Sequence, residues 1–359
     1  MKRVWLCSER NATPTLMIAA FCTQAGQFAL RDVERPLPDA GEVVVRVRSC
    51  GVCGSDLHFF HGGFPPPPVC PGHEISGEVV DVGAGGGTLH AGDRVTVEPL
   101  VVCRECWACR TGNYQQCTQL RVLGTMLDGG FAEYLRVPAY TLFPLPAAVD
   151  FEVGALAEPL AVAVHAVRVA NVGLGDRVLV LGAGTIGLLS IAAAKAAGAC
   201  EVWITARHAQ QSAAAAALGA TRVFSGPEAA DELSAQTRSH AVDVVVETVG
   251  GAADTINDGV HVVRRGGCVA VLGVFTTAPS LNAIALVVKE VRLIGSLTYG
   301  RPGPRADFDV ALGLLADQPE RFRQLITHRF PLAEIARGFA AAADKRSGAI
   351  KVAIRPAGD

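Results

Sequence analysis

The run RVLVLGAGTIGLLSIAAAKAA at residues 177–197 decides the fold. Arg177–Leu181 is an almost continuous apolar strand. Gly182, Gly184 and Gly187 follow at G-x-G-x-x-G spacing, and 188–197 is an alanine-rich, helix-forming run. Glycine permits a tight turn and a close backbone approach to a pyrophosphate, and helix-terminal N–H groups with the positive end of the helix dipole favour its charge. The motif alone is weak, but strand, glycine turn and helix in that order give it its context. Strands recur at 201–205, 243–247 and 268–272 with helical segments between them, the pattern of a parallel sheet with crossovers. We therefore expect a doubly wound α/β Rossmann domain that binds a dinucleotide at residues 169–295. Ile186 inside the turn and Gly273 after a later strand join the three glycines as cofactor positions.

At the end of the second strand such domains usually carry an acidic residue that bonds the ribose 2′-OH of NAD. Ala206 stands there instead, followed by Arg207 and His208. Positive charge where a 2′-phosphate would sit favours NADP over NAD. The competing reading makes Arg207 a solvated loop cation and lets NAD bind without its acidic partner.

Upstream, short β-rich runs at 43–47, 78–82 and 94–97 are separated by turn clusters at 36–41, 62–68 and 83–87, which predicts a mostly β lobe. The chain turns helical over 150–171, and a short turn at 172–176 precedes the strand at 177. Residues 1–16 read as an N-terminal extension: Lys2 and Arg3 precede only a short apolar stretch, which is neither a signal h-region nor an anchor.

Two sets of metal-binding residue types stand in the first lobe. Cys103, Cys106, Cys109 and Cys117 have C-x2-C-x2-C-x7-C spacing, which lets four thiolates converge on one structural zinc and pins a lobe at 99–118 without a core of its own. A disulfide framework is disfavoured by the odd total of 11 cysteines. The second set is Cys53, Ser55, Asp56 and His58, then His73 and Glu74, then Glu158. A soft sulfur, an imidazole and carboxylates make the mixed donor set of a catalytic zinc with an exchangeable position. Cys50 and Cys70 are assigned to packing.

The 359 residues and 50% apolar content suit two domains with sizeable cores, and a formal charge of −2 gives no electrostatic reason to expect nucleic acid or an acidic membrane as partner. The uncharged stretches 178–194 and 266–288 are interrupted by glycines and, in the second, by Pro279, so no membrane span is expected. The expected partner is a small-molecule alcohol or carbonyl compound, and the expected location is the cytoplasm.

The motifs C-G-V-C-G-S-D-L-H ending at His58, P-G-H-E at Pro71 to Glu74, the four-cysteine lobe, D-G-G-F-A-E-Y at Asp128 to Tyr134 and A-L-A-E-P-L at Ala155 to Leu160 cover the chain from Met17 onward. Together the chain resembles the zinc-dependent medium-chain dehydrogenase/reductase superfamily, in its sorbitol, threonine and butanediol dehydrogenase branch. The resemblance implies a GroES-like catalytic domain at 17–168, interrupted by the Rossmann domain and completed by 296–359, with the active site between the domains. It implies two zinc ions per chain, the catalytic one on Cys53 and His73 with Glu74 or Glu158 ligating directly or through water. It also implies Ser55 as acceptor of the alcohol proton, His58 as its carrier, and Asp56 as the partner that orients His73. The activity implied is reversible hydride transfer between a secondary alcohol, diol or polyol and a nicotinamide cofactor, in a homodimer or homotetramer that pairs through an edge strand near 281–294. Ala206 in place of the branch's aspartate, and Thr298 in place of the arginine usual in polyol dehydrogenases, depart from the pattern. Two other readings remain: a metal-free quinone or enoyl reductase of the same fold, and a non-enzymatic zinc module.

Overall fold

In a computed structural model the described residues are 15–239 and 242–357, so positions 1–14 of the expected extension lie outside them. Leu16 already belongs to a strand, Leu16–Gln24, which forms an antiparallel hairpin with Gln27–Glu34.

The first lobe is built on a seven-stranded mixed sheet centred on Glu42–Gly51, which pairs antiparallel with Glu74–Val82 and Tyr134–Pro138. Alternation in that strand buries Val43, Val45 and Val47 completely on one face, with β-branched side chains suited to a pleated, half-buried surface. The far C-terminal strand Lys351–Arg355 returns to pair with Glu42–Gly51 and is itself parallel to Ile326–Pro331. Residues hundreds of positions apart therefore share one sheet.

The second sheet has six parallel strands in the order Arg222–Ser225, Glu201–Ala206, Arg177–Leu181, Val242–Glu247, Val263–Val271, Arg292–Gly295. In chain order this is 3-2-1-4-5-6, which reverses beside Arg177–Leu181 and opens a crevice at the strand C-termini. Gly182, at φ +96°, turns the chain out of that strand into the helix Thr185–Ala196. A side chain on Gly187 would place its Cβ 1.8 Å from the Gly182 carbonyl oxygen, so only glycine lets helix and strand pack this closely.

The helix Ala157–Val169 joins the lobes. Leu160, Ala161, Ala163 and Val164 are buried in one cluster with Leu188, Leu189 and Ile191 of the nucleotide-side helix and with Phe308 and Leu312 of the helix Asp307–Asp317. Small alanines on the shared face allow the close approach, and the same helix carries Glu158 in its first turn.

The expected edge strand near 281–294 is shorter than its apolar content suggests, since Ala283–Lys289 is a helix and only Arg292–Gly295 is strand. The Asn282 side chain accepts from the Ala285 N–H at 3.0 Å, an N-cap, and Ile284, Val287 and Val288 stand at helical spacing. Among the described residues no helix is long and apolar enough to cross a membrane.

Candidate active site and metal centres

In the lobe Cys103 Sγ lies 3.9 Å from Cys109 and 3.5 Å from Cys117, and Cys106 Sγ lies 3.6 Å from Cys109. A tetrahedral zinc with bonds of about 2.3 Å requires sulfur–sulfur edges of about 3.8 Å, whereas a disulfide needs about 2.05 Å. Backbone N–H groups point at the sulfurs: Cys106 N to Cys103 Sγ at 3.3 Å, Cys103 N to Cys117 Sγ at 3.4 Å and Gln119 N to Cys117 Sγ at 3.3 Å. Such donors, from Cys109 and Thr118, bring the Cys106 thiol down to about 6, while burial and the neighbouring thiols push Cys109 up to about 12. Four crowded sulfurs cannot all ionise without a cation between them, and the geometry fits zinc. Among the described residues these four form the one cluster of three or more such side chains whose ligand atoms all lie within 4.8 Å of one another.

The second set is brought together more loosely. Cys53 begins the helix Gly54–Phe60, and its N–H donates to Asp56 Oδ2 at 3.0 Å. The other Asp56 oxygen lies 3.6 Å from His73 Nδ1, and both atoms are buried without a hydrogen bond. Burial opposes charge on His73, yet Asp56, Cys53 and Glu158 together hold its pKa well above the ordinary value. Burial also pushes Glu158 up to about 7, against the pull of His73. His73 thus feels both Cys53 and Glu158 in a buried, acid-rich setting, the electrostatics that a divalent cation would relieve, while the ligand atoms of the three do not form a cluster within 4.8 Å. The fully buried Tyr299 hydroxyl faces Glu158.

Glu74 is placed differently. Both its oxygens accept from Lys351 Nζ at 2.6 Å, and the ammonium also donates to the Val52 carbonyl at 3.0 Å, with the two side chains 1% and 3% exposed. Ser55 and His58 are half-buried on the same short helix; the His58 ring packs edge-on against Phe64, and no hydrogen bond joins the two among the described residues. Cys50 and Cys70 are buried in the sheet core.

A cleft of ≈ 630 Å³ opens at the C-terminal ends of the parallel strands, lined by Gly182, Gly184, Ala206, Arg207, His208 and Lys345, among others. Ile186, Gly187 and Gly273 are not on its wall. The Gly273 N–H instead donates to Glu247 Oε2 at 3.2 Å, and Glu247 also accepts from Val249 and Gly250, so this buried acid holds the loop after its strand.

The sequence reading missed Lys351, Tyr299 and Lys345. Lys351 had a signal, a single charge inside the run I-K-V-A-I at 350–354. Tyr299 and Lys345 carried none.

The Alcohol dehydrogenase GroES-like domain family model matches residues 39–147, and the Zinc-binding dehydrogenase family model matches residues 185–317. The L-galactonate-5-dehydrogenase of Escherichia coli (strain K12) is 34% identical over 323 residues, covering 89% of this chain and 93% of that protein. The sorbitol dehydrogenase of Gallus gallus is 35% identical over 353 residues, covering 94% and 96%. A solved structure from Sinorhizobium meliloti 1021, described as a zinc-binding dehydrogenase bound to NADP, superposes with a TM-score of 0.86 at 33% identity, covering 95% of this chain and 100% of that one.

Proposed function

The chain belongs to the zinc-dependent medium-chain dehydrogenase/reductase family, in its polyol dehydrogenase branch, and from that premise we propose how its own residues carry the activity. It is an NAD(P)-dependent alcohol and polyol dehydrogenase that moves hydride reversibly between a CH–OH carbon and a nicotinamide. Cys53, His73 and Glu158 hold the catalytic zinc, and the four lobe cysteines hold a second. Bound there, zinc supplies Lewis acidity to an alcohol oxygen.

The observation that carries this donor set is the Lys351–Glu74 pair. With both Glu74 oxygens accepting from Lys351 at 2.6 Å, Glu158 is left, of the two glutamates, to complete the donor set beside His73. Asp56, itself fixed by the Cys53 N–H, orients His73 from the Nδ1 side. Ser55 accepts the alcohol proton and His58 passes it to solvent. The glycine turn and the N-terminus of the helix Thr185–Ala196 hold the pyrophosphate, which fixes the nicotinamide in register with the substrate pocket so that orientation supplies part of the acceleration.

Ala206 on the cleft wall, with Arg207 beside it, supports a preference for NADP. An oxidation screen of sugar alcohols, vicinal diols, secondary and primary alcohols with each cofactor tests class and preference together. Polyols or diols should be oxidised with NADP the better cofactor, and Ala206→Asp should reverse the order. Loss of a single charged contact corresponds to about 1.5–3 kcal/mol, or roughly 10–150-fold in efficiency. No oxidation of any alcohol, or reduction of quinones without zinc, contradicts the reading.

We read the assembly as a homodimer or homotetramer. Among the described residues Arg292–Gly295 is an outer strand of the parallel sheet, paired on one side only, and Ile284, Val287 and Val288 are 78%, 72% and 57% exposed on the adjoining helix. An open edge beside an apolar surface suits pairing with a second copy. Sedimentation velocity at micromolar concentration should show a dimer or tetramer; a monomer would sink this reading.

A further inference from the structure

One end of the nucleotide cleft holds a cation that the glycine motif does not supply. Lys345 belongs to the short turn Lys345–Ser347 just before the strand Lys351–Arg355, so it comes from the mixed-sheet lobe, yet it lines the same cleft as Ala206, Arg207 and His208. Its backbone is fastened to the nucleotide side by Gln210, whose Nε2 donates to the Lys345 carbonyl at 2.9 Å. The half-buried ammonium donates to the Ala342 carbonyl at 2.7 Å, and no carboxylate pairs with it among the described residues. The adjacent Asp344 carboxylate holds Arg346 instead, at 3.1 Å from its Nε and 3.0 Å from its backbone N. Arg207 likewise has no ion pair among the described residues. Asp258 is the carboxylate on the cleft wall, but it belongs to the helix Thr255–Val262 that follows Val242–Glu247, on the opposite side of the central strand from Arg207.

The adenosine end is therefore cationic, with two charged side chains and an imidazole but no acid at position 206. A partly desolvated ammonium satisfied by one carbonyl gains most from an anion with several acceptor oxygens. We propose that Lys345 is a specificity-determining residue of a 2′-phosphate site, binding the NADP phosphate from the lobe opposite Arg207 and His208. The proposal rests on the NADP preference argued above.

The test uses the full-length wild type, Lys345→Gln and Lys345→Arg, with steady-state kinetics on NADP and NAD and inhibition by adenosine 2′-monophosphate. Lys345→Gln should lower the NADP-to-NAD ratio of kcat/KM about tenfold, through the KM for NADP rather than kcat, and weaken inhibition by adenosine 2′-monophosphate in parallel. Lys345→Arg should restore most of both. General damage to the fold would move both cofactors together and leave the ratio in place. If the wild type prefers NADP while Lys345→Gln keeps both the ratio and the inhibition, the role of Lys345 is overturned and that of Arg207 stands. A wild type that prefers NAD overturns the cofactor reading and this proposal with it.

Discussion

Replacing Cys53 by serine should lower kcat/KM for alcohol oxidation about 10³–10⁴-fold while the protein stays folded. The loss follows from the proposed role of Cys53 as a zinc ligand, since a bound metal is worth several kcal/mol of transition-state charge stabilisation and each 1.36 kcal/mol is tenfold in rate. Folding should survive because Cys53 is the N-cap of a seven-residue helix, with its backbone N–H already on Asp56, and serine is a favoured residue at that position. The neighbouring Lys351–Glu74 pair, which ties the C-terminal strand to the P-G-H-E loop, is untouched. Circular dichroism and steady-state kinetics on the same preparation check both halves. A variant that unfolds at room temperature, or one that keeps a tenth of wild-type efficiency, would show that Cys53 does not have this role.

Cys106→Ser should do the reverse, lowering the melting temperature by on the order of 5–10 °C before it alters the chemistry. Leu100, Val102 and Tyr114 anchor one side of the lobe to the core, but its tip, with Trp107 73% exposed, would owe its order to four sulfurs around the proposed ion. Its loosening should nonetheless reach the pocket at one point. The Arg301 N–H donates to the Gly112 carbonyl at 2.6 Å, and Gly300, packed against Gln115, leaves no room for a side chain. Tyr299, which faces Glu158, is the residue before that contact. A modest fall in activity should accompany the fall in melting temperature; thermal stability equal to wild type would argue against a structural zinc.

What the sequence disclosed follows from how local each constraint is. The glycine turn was legible because the backbone itself demands the residue: Gly182 sits at positive φ and Gly187 has no room for a Cβ. The cysteine lobe was legible because all four ligands lie within one short segment, so spacing alone brings them together. Lys351 stood out locally as one charge in an apolar run, but its role was not legible, because its partner Glu74 is 277 positions away and no local pattern announces a pairing made by two strands meeting in one sheet. For the same reason the sequence leaves Glu74 and Glu158 as equivalent candidates, and the position of Lys351 is what supports the proposal of Glu158. Lys345 enters the nucleotide cleft from the other lobe, which the order of motifs along the chain does not foretell. The segment 281–294 read as strand because its apolar run outweighed the Asn282 cap and the helical spacing of Ile284, Val287 and Val288.

Zinc content by elemental analysis of metal-replete wild type, Cys53→Ser and Cys106→Ser tests the central claim most directly. Two zinc ions per chain in the wild type and one in Cys53→Ser, with the remaining ion resistant to mild chelation, is the result expected from a catalytic site on Cys53, His73 and Glu158 and a separate four-cysteine site. One ion or none in the wild type, or two retained in an inactive Cys53→Ser, would contradict it.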